Sequence, residues 1–275
     1  MLLIAHEMSV YLDNAATTAV APEVVESMIP VLRDSYGNPS SSHAIGRKSR
    51  VIIEQSRRAI ARHLQCHAKT IYFTSGGTEA DNLALRSAVR DLKCQRIITS
   101  AAEHSAVIKT AESLARSEGI VLELVNHFPD GTVDLEHLSA LLSSGPKTLV
   151  SLMHANNEVG VLQDLDRIGT MCKEHGALFH SDTVQTMCHY PFDLSKLPID
   201  FVTCSAHKFH GPKGIGFLYI AEGLNVGGQI EGGSQERAVR AGTESIHSIV
   251  GLAKAMELAY HDLNEHERHV RALKA

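Results

Sequence analysis

Short apolar runs rich in β-branched residues recur along the chain, separated by stretches with helical periodicity. Each run is almost continuously apolar, which is typical of strands covered on both faces. The runs are IYFT (71–74), RIITS (96–100), VLELV (121–125), TLVSLM (148–153), ALFHS (177–181), DFVTC (200–204) and GFLYI (216–220). The pattern therefore predicts about seven strands.

Between many of these runs, apolar residues recur at helical spacing. Residues 46–64 place Ile52, Ile53, Ile60 and Leu64 on one face, with arginines elsewhere. Similar stretches cover 79–92, 105–117, 134–143 and 164–175, and the pattern is helical from about Ser245 to the last residue. The alternation predicts an α/β fold with a mainly parallel central sheet flanked by helices.

Composition narrows the class of protein. The chain has 275 residues, 44% of them hydrophobic, and a net charge of −5 without a basic block, which disfavours a nucleic-acid partner. The start, MLLIAHEMSVYLD, resembles neither a signal nor a transit peptide, and no apolar run reaches the ~18 residues that span a bilayer. We therefore expect a cytoplasmic protein without a membrane partner.

The cysteines indicate neither a disulfide framework nor a zinc knuckle. There are five, an odd number, they are widely spaced, and no CxxC pair occurs. They are Cys66, Cys94, Cys172, Cys188 and Cys204. We expect reduced thiols and no metal ion.

Polar residues that could bind a ligand follow several predicted strands, and in parallel sheets ligands bind at the carboxyl ends of strands. After IYFT comes SGGTEADN, in which Gly76 and Gly77 allow close approach of the backbone to a ligand. Thr78 opens a helix whose free N–H groups attract an anion. A simple helix cap with glycines in the turn explains this segment equally well.

The other strand ends carry single polar residues with ordinary alternatives. His104 follows RIITS, the pair Asn156 and Asn157 follows TLVSLM, and Asp182 follows ALFHS with Gln185 three residues later. A lone histidine at a helix entrance is more often a cap, paired asparagines usually form a turn, and such an aspartate often caps the next helix.

A lysine on a short connection between two apolar runs completes the set. Lys208 lies in CSAHKFHGPKG (204–214), after DFVTC and before GFLYI. Together the strand ends offer an anion cup, a histidine, an asparagine, an aspartate and a lysine. Pyridoxal 5′-phosphate uses all of these, since its aldehyde needs a lysine for a Schiff base and its ring nitrogen needs a carboxylate.

Eight ordered motifs between about residues 10 and 260 resemble the cysteine desulfurases of NifS/IscS type. These enzymes belong to the class V branch of pyridoxal-phosphate-dependent aminotransferases, of fold type I. The motifs are VYLDNAATT (10–18), YGNPSSSH (36–43), FTSGGTEADN (73–82), EHSAV (103–107), HANNEVG (154–160), HSDTVQ (180–185), SAHKFHGPKGIG (205–216) and ERAVRAGT (236–243).

The resemblance implies roles around the cofactor ring. Lys208 would form the internal Schiff base and move the substrate's α-proton. His104 would stack on the pyridine ring and assist proton transfer. Asp182 would pair with the ring nitrogen, and Gln185 and Asn157 would lie near the phenolic oxygen.

The resemblance also implies a phosphate site and a homodimer. Thr78, Ser205 and His207, with the Gly77 amide, would hold the phosphate. Thr243 resembles a residue that reaches the phosphate of the neighbouring subunit.

On the substrate side, the resemblance implies L-cysteine, whose carboxylate Asn38 would approach, and sulfur transfer to an acceptor thiol or an iron–sulfur scaffold protein. It implies a large cofactor domain over 16–262, with 1–15 and 263–275 as remnants of a small domain. In the family, a further segment of roughly a hundred residues, the size of a small domain, carries the nucleophilic cysteine and a carboxylate-binding arginine. We expect the present chain to lack both.

Three alternatives remain open at the level of the sequence. A selenocysteine lyase or a small-substrate aminotransferase would keep the cofactor and change the reaction. A non-catalytic subunit could dimerise with, or scaffold, a sulfur-transfer partner. A metal hydrolase would use Cys204, His207 and His210, although Lys208 would repel the metal.

Overall fold

A sheet of seven strands forms the centre of the structure, a computed structural model that describes residues 10–274. The strand order is β1-β7-β6-β5-β4-β2-β3. The strands are β1 (Ile71–Thr74), β2 (Arg96–Ser100), β3 (Val121–Val125), β4 (Thr148–Ser151), β5 (Leu178–Asp182), β6 (Phe201–Ser205) and β7 (Gly216–Ile220). All seven predicted strands are confirmed, with ends that differ by at most two residues.

Strand β7 is antiparallel to both of its neighbours, whereas all other pairs in the sheet are parallel. Only the segment 206–215, which contains no α-helix, connects β6 to β7. A parallel connection needs a longer crossover, so this short loop reverses the chain. The mainly parallel sheet predicted from the sequence is thus confirmed, and the carboxyl ends of six strands lie along one edge.

Eight α-helices are described. They are α1 (Pro22–Asp34), α2 (Ala44–His63), α3 (Gly77–Arg90), α4 (Ser105–Glu118), α5 (Leu135–Leu142), α6 (Leu165–Glu174), α7 (Ile246–His261) and α8 (Leu263–Lys274). The sequence pattern does not predict α1. The helical stretch predicted from Ser245 onward is two helices, because the backbone leaves the helical region at Asp262 (φ −99°, ψ 6°).

Side chains alternate between two hydrophobic cores on opposite faces of the sheet. One core joins β-strand residues such as Val202 to α2, α5, α6 and α7. The other joins residues such as Phe201 and Leu218 to α3 and α4. On the α3 side the strands become polar toward their carboxyl ends, where Asp182 and Ser205 are buried. This polar end is where a ligand site can form.

The predicted domain division stays a prediction. Its boundary at residue 262 coincides with the break between α7 and α8, and α8 contains no buried residue. Residues 1–9 and 275, which belong to the predicted small-domain remnants, lie outside the described residues. Within residues 10–274, no helix is both long and apolar enough to cross a membrane.

Candidate active site

A cleft of about 600 Å³ opens at the carboxyl ends of β4, β5 and β6, beside the starts of α3 and α4. It brings together nine predicted residues: Gly77, Thr78, His104, Asn157, Asp182, Gln185, Ser205, His207 and Lys208. Seven further residues line it that we did not single out: Asp13, Ala15, Ala16, Asp81, Met153, Glu158 and Val184. Asp13, Ala15 and Ala16 fall within the motif VYLDNAATT, which is the one signal in the sequence that pointed to them.

The N-terminus of α3 forms one end of the cleft, and two glycines shape it. Gly76 has φ 149°, a conformation that side chains rarely permit. A Cβ on Gly77 would lie 2.8 Å from Val184 Cγ2, which is too close for a side chain at this position. No side chain caps this end of α3. Its N–H groups therefore face the cleft as an anion site.

Lys208 enters the cleft from the loop after β6. Its Nζ donates hydrogen bonds to the carbonyls of Ala15 and Ala16, the second at 3.0 Å. Burial lowers the pKa of Lys208, and the nearby carboxylates of Asp182 and Asp13 partly offset this. A lowered pKa gives a larger fraction of neutral amine, which is the form that acts as a nucleophile or base.

Asp182, the last residue of β5, is buried on the floor of the cleft. Its Oδ1 accepts a hydrogen bond from the Val184 amide at 2.9 Å. Burial, and next the charge of Asp81, raise the pKa of Asp182 to about 7. A buried acid of this kind favours a cationic ligand group, because a positive charge would stabilise its ionised form.

His104 both caps a helix and lines the cleft. Its Nδ1 accepts a hydrogen bond from the Ala106 amide at 3.1 Å, at the start of α4. The same residue is part of the cleft wall. The ordinary explanation for this histidine is therefore correct, and it leaves the ring available to a ligand.

Of the paired asparagines, one forms a turn and the other lines the cleft. Asn156 forms the turn, because its Oδ1 accepts from the amides of Glu158 and Val159 at 2.8 and 2.9 Å. Asn157 lines the cleft. Gln185 donates from Nε2 to the Ala15 carbonyl at 3.0 Å, so it connects the cleft to the same segment that holds Lys208.

Two predicted residues do not line this cleft. Asn38 is exposed, and its Oδ1 accepts from the Ser40 amide at 2.9 Å in a local turn. Thr243 is also exposed. It follows Arg240, whose guanidinium forms an ion pair at 2.8 Å with Glu79 in the first turn of α3. The roles of both residues stay predictions.

The geometry gives no support to a metal hydrolase at Cys204, His207 and His210. Within residues 10–274 these side chains do not converge as a set of metal ligands. His207 Nδ1 lies 3.0 Å from Thr17 Oγ1, and His210 Nδ1 lies 2.9 Å from the Ala19 carbonyl. Both histidines thus contact the segment that precedes α1.

The cleft fits pyridoxal 5′-phosphate in its chemistry. An uncapped helix end with a glycine cradle suits a phosphate, a buried acid suits a protonated ring nitrogen, and a lysine suits an aldehyde. The three elements line one cavity of about 600 Å³, within the ordinary range for small-ligand sites.

Comparisons with known proteins agree with this geometry. The family model described as aminotransferase class-V matches residues 10–275. The cysteine desulfurase IscS of Dictyoglomus turgidum is 42% identical over 258 residues, which are 93% of this chain and 65% of that protein. The chain thus spans about two thirds of the length of this relative.

Two solved structures have the same fold. A NifS-like protein superposes with a TM-score of 0.93 at 40% identity and covers 97% of this chain and 74% of its own. A structure of SspA in complex with cysteine superposes with a TM-score of 0.84 at 37% identity, covering 90% of this chain and 72% of its own. The predicted fold type is confirmed.

Proposed function

The chain belongs to the class-V aminotransferase family, and on that premise we propose that it is the cofactor-binding part of a cysteine desulfurase that acts on L-cysteine. One observation carries the proposal: Lys208, Asp182 and the uncapped start of α3 face the same cleft. The names of the relatives support the choice of reaction, and the SspA structure with bound cysteine supports the substrate class.

Class-V aminotransferases are pyridoxal 5′-phosphate enzymes. When bound, this cofactor supplies an aldehyde for a lysine and an electron sink for negative charge at the substrate's α-carbon. Gly77 and Thr78 at the start of α3, with Ser205 and His207, would hold its phosphate. Asp182 would hold the proton of its ring nitrogen, and His104, Asn157 and Gln185 would contact the ring and its phenolic oxygen.

Lys208 has two tasks in this proposal. It binds the cofactor through Nζ, and after release it accepts and returns the α-proton of the substrate. Its lowered pKa favours both tasks, because only the neutral amine is a nucleophile or a proton acceptor. The carbonyls of Ala15 and Ala16 accept hydrogen bonds from Nζ and orient it in the cleft.

The sulfur-accepting thiol is not one of this chain's five cysteines in our proposal. Cys94, Cys172, Cys188 and Cys204 are buried, Cys66 is half-buried, and none lines the cleft. Burial raises the pKa of every one of these thiols. A thiolate is the required nucleophile, so these residues are poor acceptors. An acceptor protein, such as an iron–sulfur scaffold, or a thiol outside this chain would take the sulfur.

A second copy of the chain is part of the proposal. Thr243 is exposed and lies three residues after Arg240, which forms the ion pair with Glu79. In a homodimer it would reach the phosphate in the partner's cleft, and Asn38 would contact the substrate carboxylate. Mixing two inactive variants, Lys208→Ala and Thr243→Ala, tests this arrangement. In a mixed dimer, one of the two sites combines the intact Lys208 of one subunit with the intact Thr243 of the other, so exchange of the substrate's α-proton should be recovered.

Covalent labelling tests the proposed function most directly. The purified chain is incubated with pyridoxal 5′-phosphate, reduced with borohydride and mapped by peptide mass spectrometry. We expect the label on Lys208, with Lys213 five residues away as the internal control. In parallel, exchange of the α-proton of L-cysteine and L-alanine is followed in D₂O.

The outcomes separate the candidate functions. Label on Lys208 with α-proton exchange supports the proposal. Label on Lys208 without exchange of either amino acid indicates a non-catalytic, cofactor-binding subunit. Exchange with other amino acids but not with L-cysteine indicates a different reaction on the same cofactor. Label on Lys213, or none, contradicts the proposed site.

A further inference from the structure

A second buried acid, Asp81, lies beside Asp182 in the wall of the cleft. It belongs to the second turn of α3, and only 1% of its surface is exposed. One carboxylate oxygen of Asp81, one of Asp182 and a ring nitrogen of His104 all lie within 4.8 Å of one another. Two acids thus lie where a single anion is enough to pair with one protonated ring nitrogen of a ligand.

The surroundings of Asp81 supply no full positive charge. Its Oδ1 has no hydrogen-bond partner among residues 10–274 and lies 3.5 Å from His180 Nε2. The His180 ring is fully buried between Ser151 Oγ at 2.8 Å and Thr203 Oγ1 at 3.1 Å. Burial lowers the pKa of His180 to about 4, so this ring is neutral near pH 7.

Three further titratable groups, Glu103, His104 and Lys208, lie around the two acids. Glu103, just before α4, is a half-buried acid that accepts a hydrogen bond from the Met153 amide. Burial, and to a smaller extent the charges of Asp182 and Asp81, raise its pKa well above the ordinary value, so it adds no positive charge beside the two acids. His104 is exposed and engaged as a helix cap. Lys208 also interacts electrostatically with Asp182, but its Nζ donates hydrogen bonds to the carbonyls of Ala15 and Ala16 and to neither acid.

We propose that Asp81 and Asp182 form a coupled carboxyl pair that holds one proton near neutral pH. Two carboxylates this close in a buried site cannot both ionise readily, because each disfavours the charge of the other. The proton then titrates as a property of the pair and leaves in two macroscopic steps. Burial raises the pKa of each acid to about 7, in agreement with this arrangement.

Asp81 is the member that keeps the proton when a ligand binds; this step rests on the proposed function. Asp182 is the residue at the strand end, where a protonated ring nitrogen would stabilise its negative charge. Asp81 lies next to the neutral His180, and a protonated carboxyl can donate to Nε2 in the tautomer that carries the ring proton on Nδ1 and donates it to Ser151 Oγ. Asp81 is thus a positioning residue that leaves one anion, on Asp182, for the cofactor.

The pair can be tested without any cofactor. The full chain is labelled at the aspartate ¹³Cγ, and its NMR signals are followed from pH 4 to pH 9. We expect two aspartate signals that both respond in two steps. In Asp81→Asn the Asp182 signal should titrate in one step, at a pH lower by about one unit or more, the size that defines coupling. Asp200→Asn, at a half-buried acid outside the cleft whose pKa burial also raises, is the matched control and should change neither signal.

Either of two results would contradict the coupled carboxyl pair. An Asp182 signal with the same midpoint in Asp81→Asn, or two independent single-step curves in the unsubstituted chain, removes the coupling. The second result needs no variant, so it decides the matter even if Asp81→Asn does not fold.

Adding pyridoxal 5′-phosphate at pH 7 then tests the location of the proton. We expect one aspartate signal at the position of a protonated carboxyl, absent in Asp81→Asn and present in Asp200→Asn. A protonated signal that persists in Asp81→Asn but disappears in Asp182→Asn reverses the assignment. Failure to bind the cofactor at all contradicts the proposed function and leaves the result for the cofactor-free pair standing.

Discussion

Two buried acidic sites in this molecule are built in opposite ways. Glu236 is bonded by both oxygens to the Arg57 guanidinium at 2.7 Å and also accepts from the Phe73 amide at 2.9 Å. Within residues 10–274, neither Asp182 nor Asp81 is hydrogen-bonded to a lysine or an arginine, and burial raises the pKa of both to about 7. The first site is saturated by the protein itself, whereas the second is incomplete until a cationic ligand arrives.

The difference explains what each site does. Glu236 begins three consecutive residues with positive φ, at 42°, 56° and 63° through Ala238. Such residues are strained, and the fold has to hold them in place. The Arg57–Glu236 pair, which joins α2 to this loop, supplies that hold. In the cleft, by contrast, stability is given up so that a ligand can complete the charges.

The largest effect we expect comes from breaking the saturated site. Arg57→Met leaves Glu236 buried without its partner and should lower the free energy of unfolding by about 3–5 kcal/mol. Urea denaturation measures this. Arg57→Met combined with Glu236→Gln should recover much of the loss, since no unpaired charge remains. Arg33→Met, which removes an exposed ion pair with Asp34, is the control and should change little.

A loss in Arg57→Met no larger than that of the Arg33 control would show that the buried pair does not hold the loop. The comparison between the two acidic sites would then fail on its structural side.

The next effect breaks the incomplete site. Asp182→Asn should retain the cofactor through Lys208 and the α3 end, and lose α-proton exchange by about 10²–10³-fold, the usual cost of one preorganised electrostatic partner. Exchange in D₂O at saturating cofactor is the measurement. Asp200→Asn is the matched control, because burial also raises the pKa of Asp200 although it lies outside the cleft. Exchange at the native rate in Asp182→Asn would show that its carboxylate is not the partner of the ring.

The strand pattern was readable from the sequence because buried strands need apolar residues on both faces. Phe201 and Val202, for example, point to opposite cores and are both fully buried. The sequence pattern does not predict helix α1, because most of its apolar residues are not buried and so give no clear periodicity. Only Val24 of its apolar residues is buried, Ile29 and Leu32 are exposed, and Pro30 interrupts the helical pattern.

The cleft was predictable where a residue follows a strand and not where it depends on packing. Lys208, Asp182 and His104 each lie at or just after a strand end, so the sheet brings them together. Asp81 lies inside a helix, and its position beside Asp182 arises only when α3 packs over β5 and β6. No local spacing in the sequence carries that contact.

Stability as a function of pH should separate the two acidic sites by a smaller amount. The folded-state pKa of Asp182, about 7, lies above the ordinary value of 3.8, so the fold favours the protonated acid. Its contribution to stability is therefore present below about pH 4 and is lost as the pH rises through about 7. Asp182→Asn should escape this loss and gain on the order of 1–3 kcal/mol relative to the unsubstituted chain between pH 5 and pH 8.

Urea midpoints of both proteins at the two pH values give this difference. Burial lowers the pKa of His154 to about 4, so this histidine destabilises the fold as the pH falls, equally in both proteins. Burial also lowers the pKa of His180 to about 4, and the charge of Asp182 partly offsets this, so removal of Asp182 lowers the His180 pKa further. Asp130→Asn is the control: hydrogen bonds from Thr132 lower the pKa of this exposed acid, so its removal should bring no gain at pH 8. Equal pH dependence of Asp182→Asn and the unsubstituted chain would contradict a raised pKa in the cleft.

The smallest effect is expected at the thiols, which belong to neither acidic site and do not line the cleft. Cys66 is the least buried of the five, and burial still raises its pKa. Cys66→Ala should change alanine release from L-cysteine, with dithiothreitol as acceptor, by less than about twofold, the ~0.5 kcal/mol typical of substitutions away from a functional feature. Mass spectrometry after incubation with L-cysteine should find no stoichiometric persulfide on any of the five cysteines. A persulfide on one of them, lost together with alanine release when that residue is changed to alanine, would make it the nucleophile. Sulfur transfer would then take place within this chain, and the raised pKa of its thiols would not prevent their reaction.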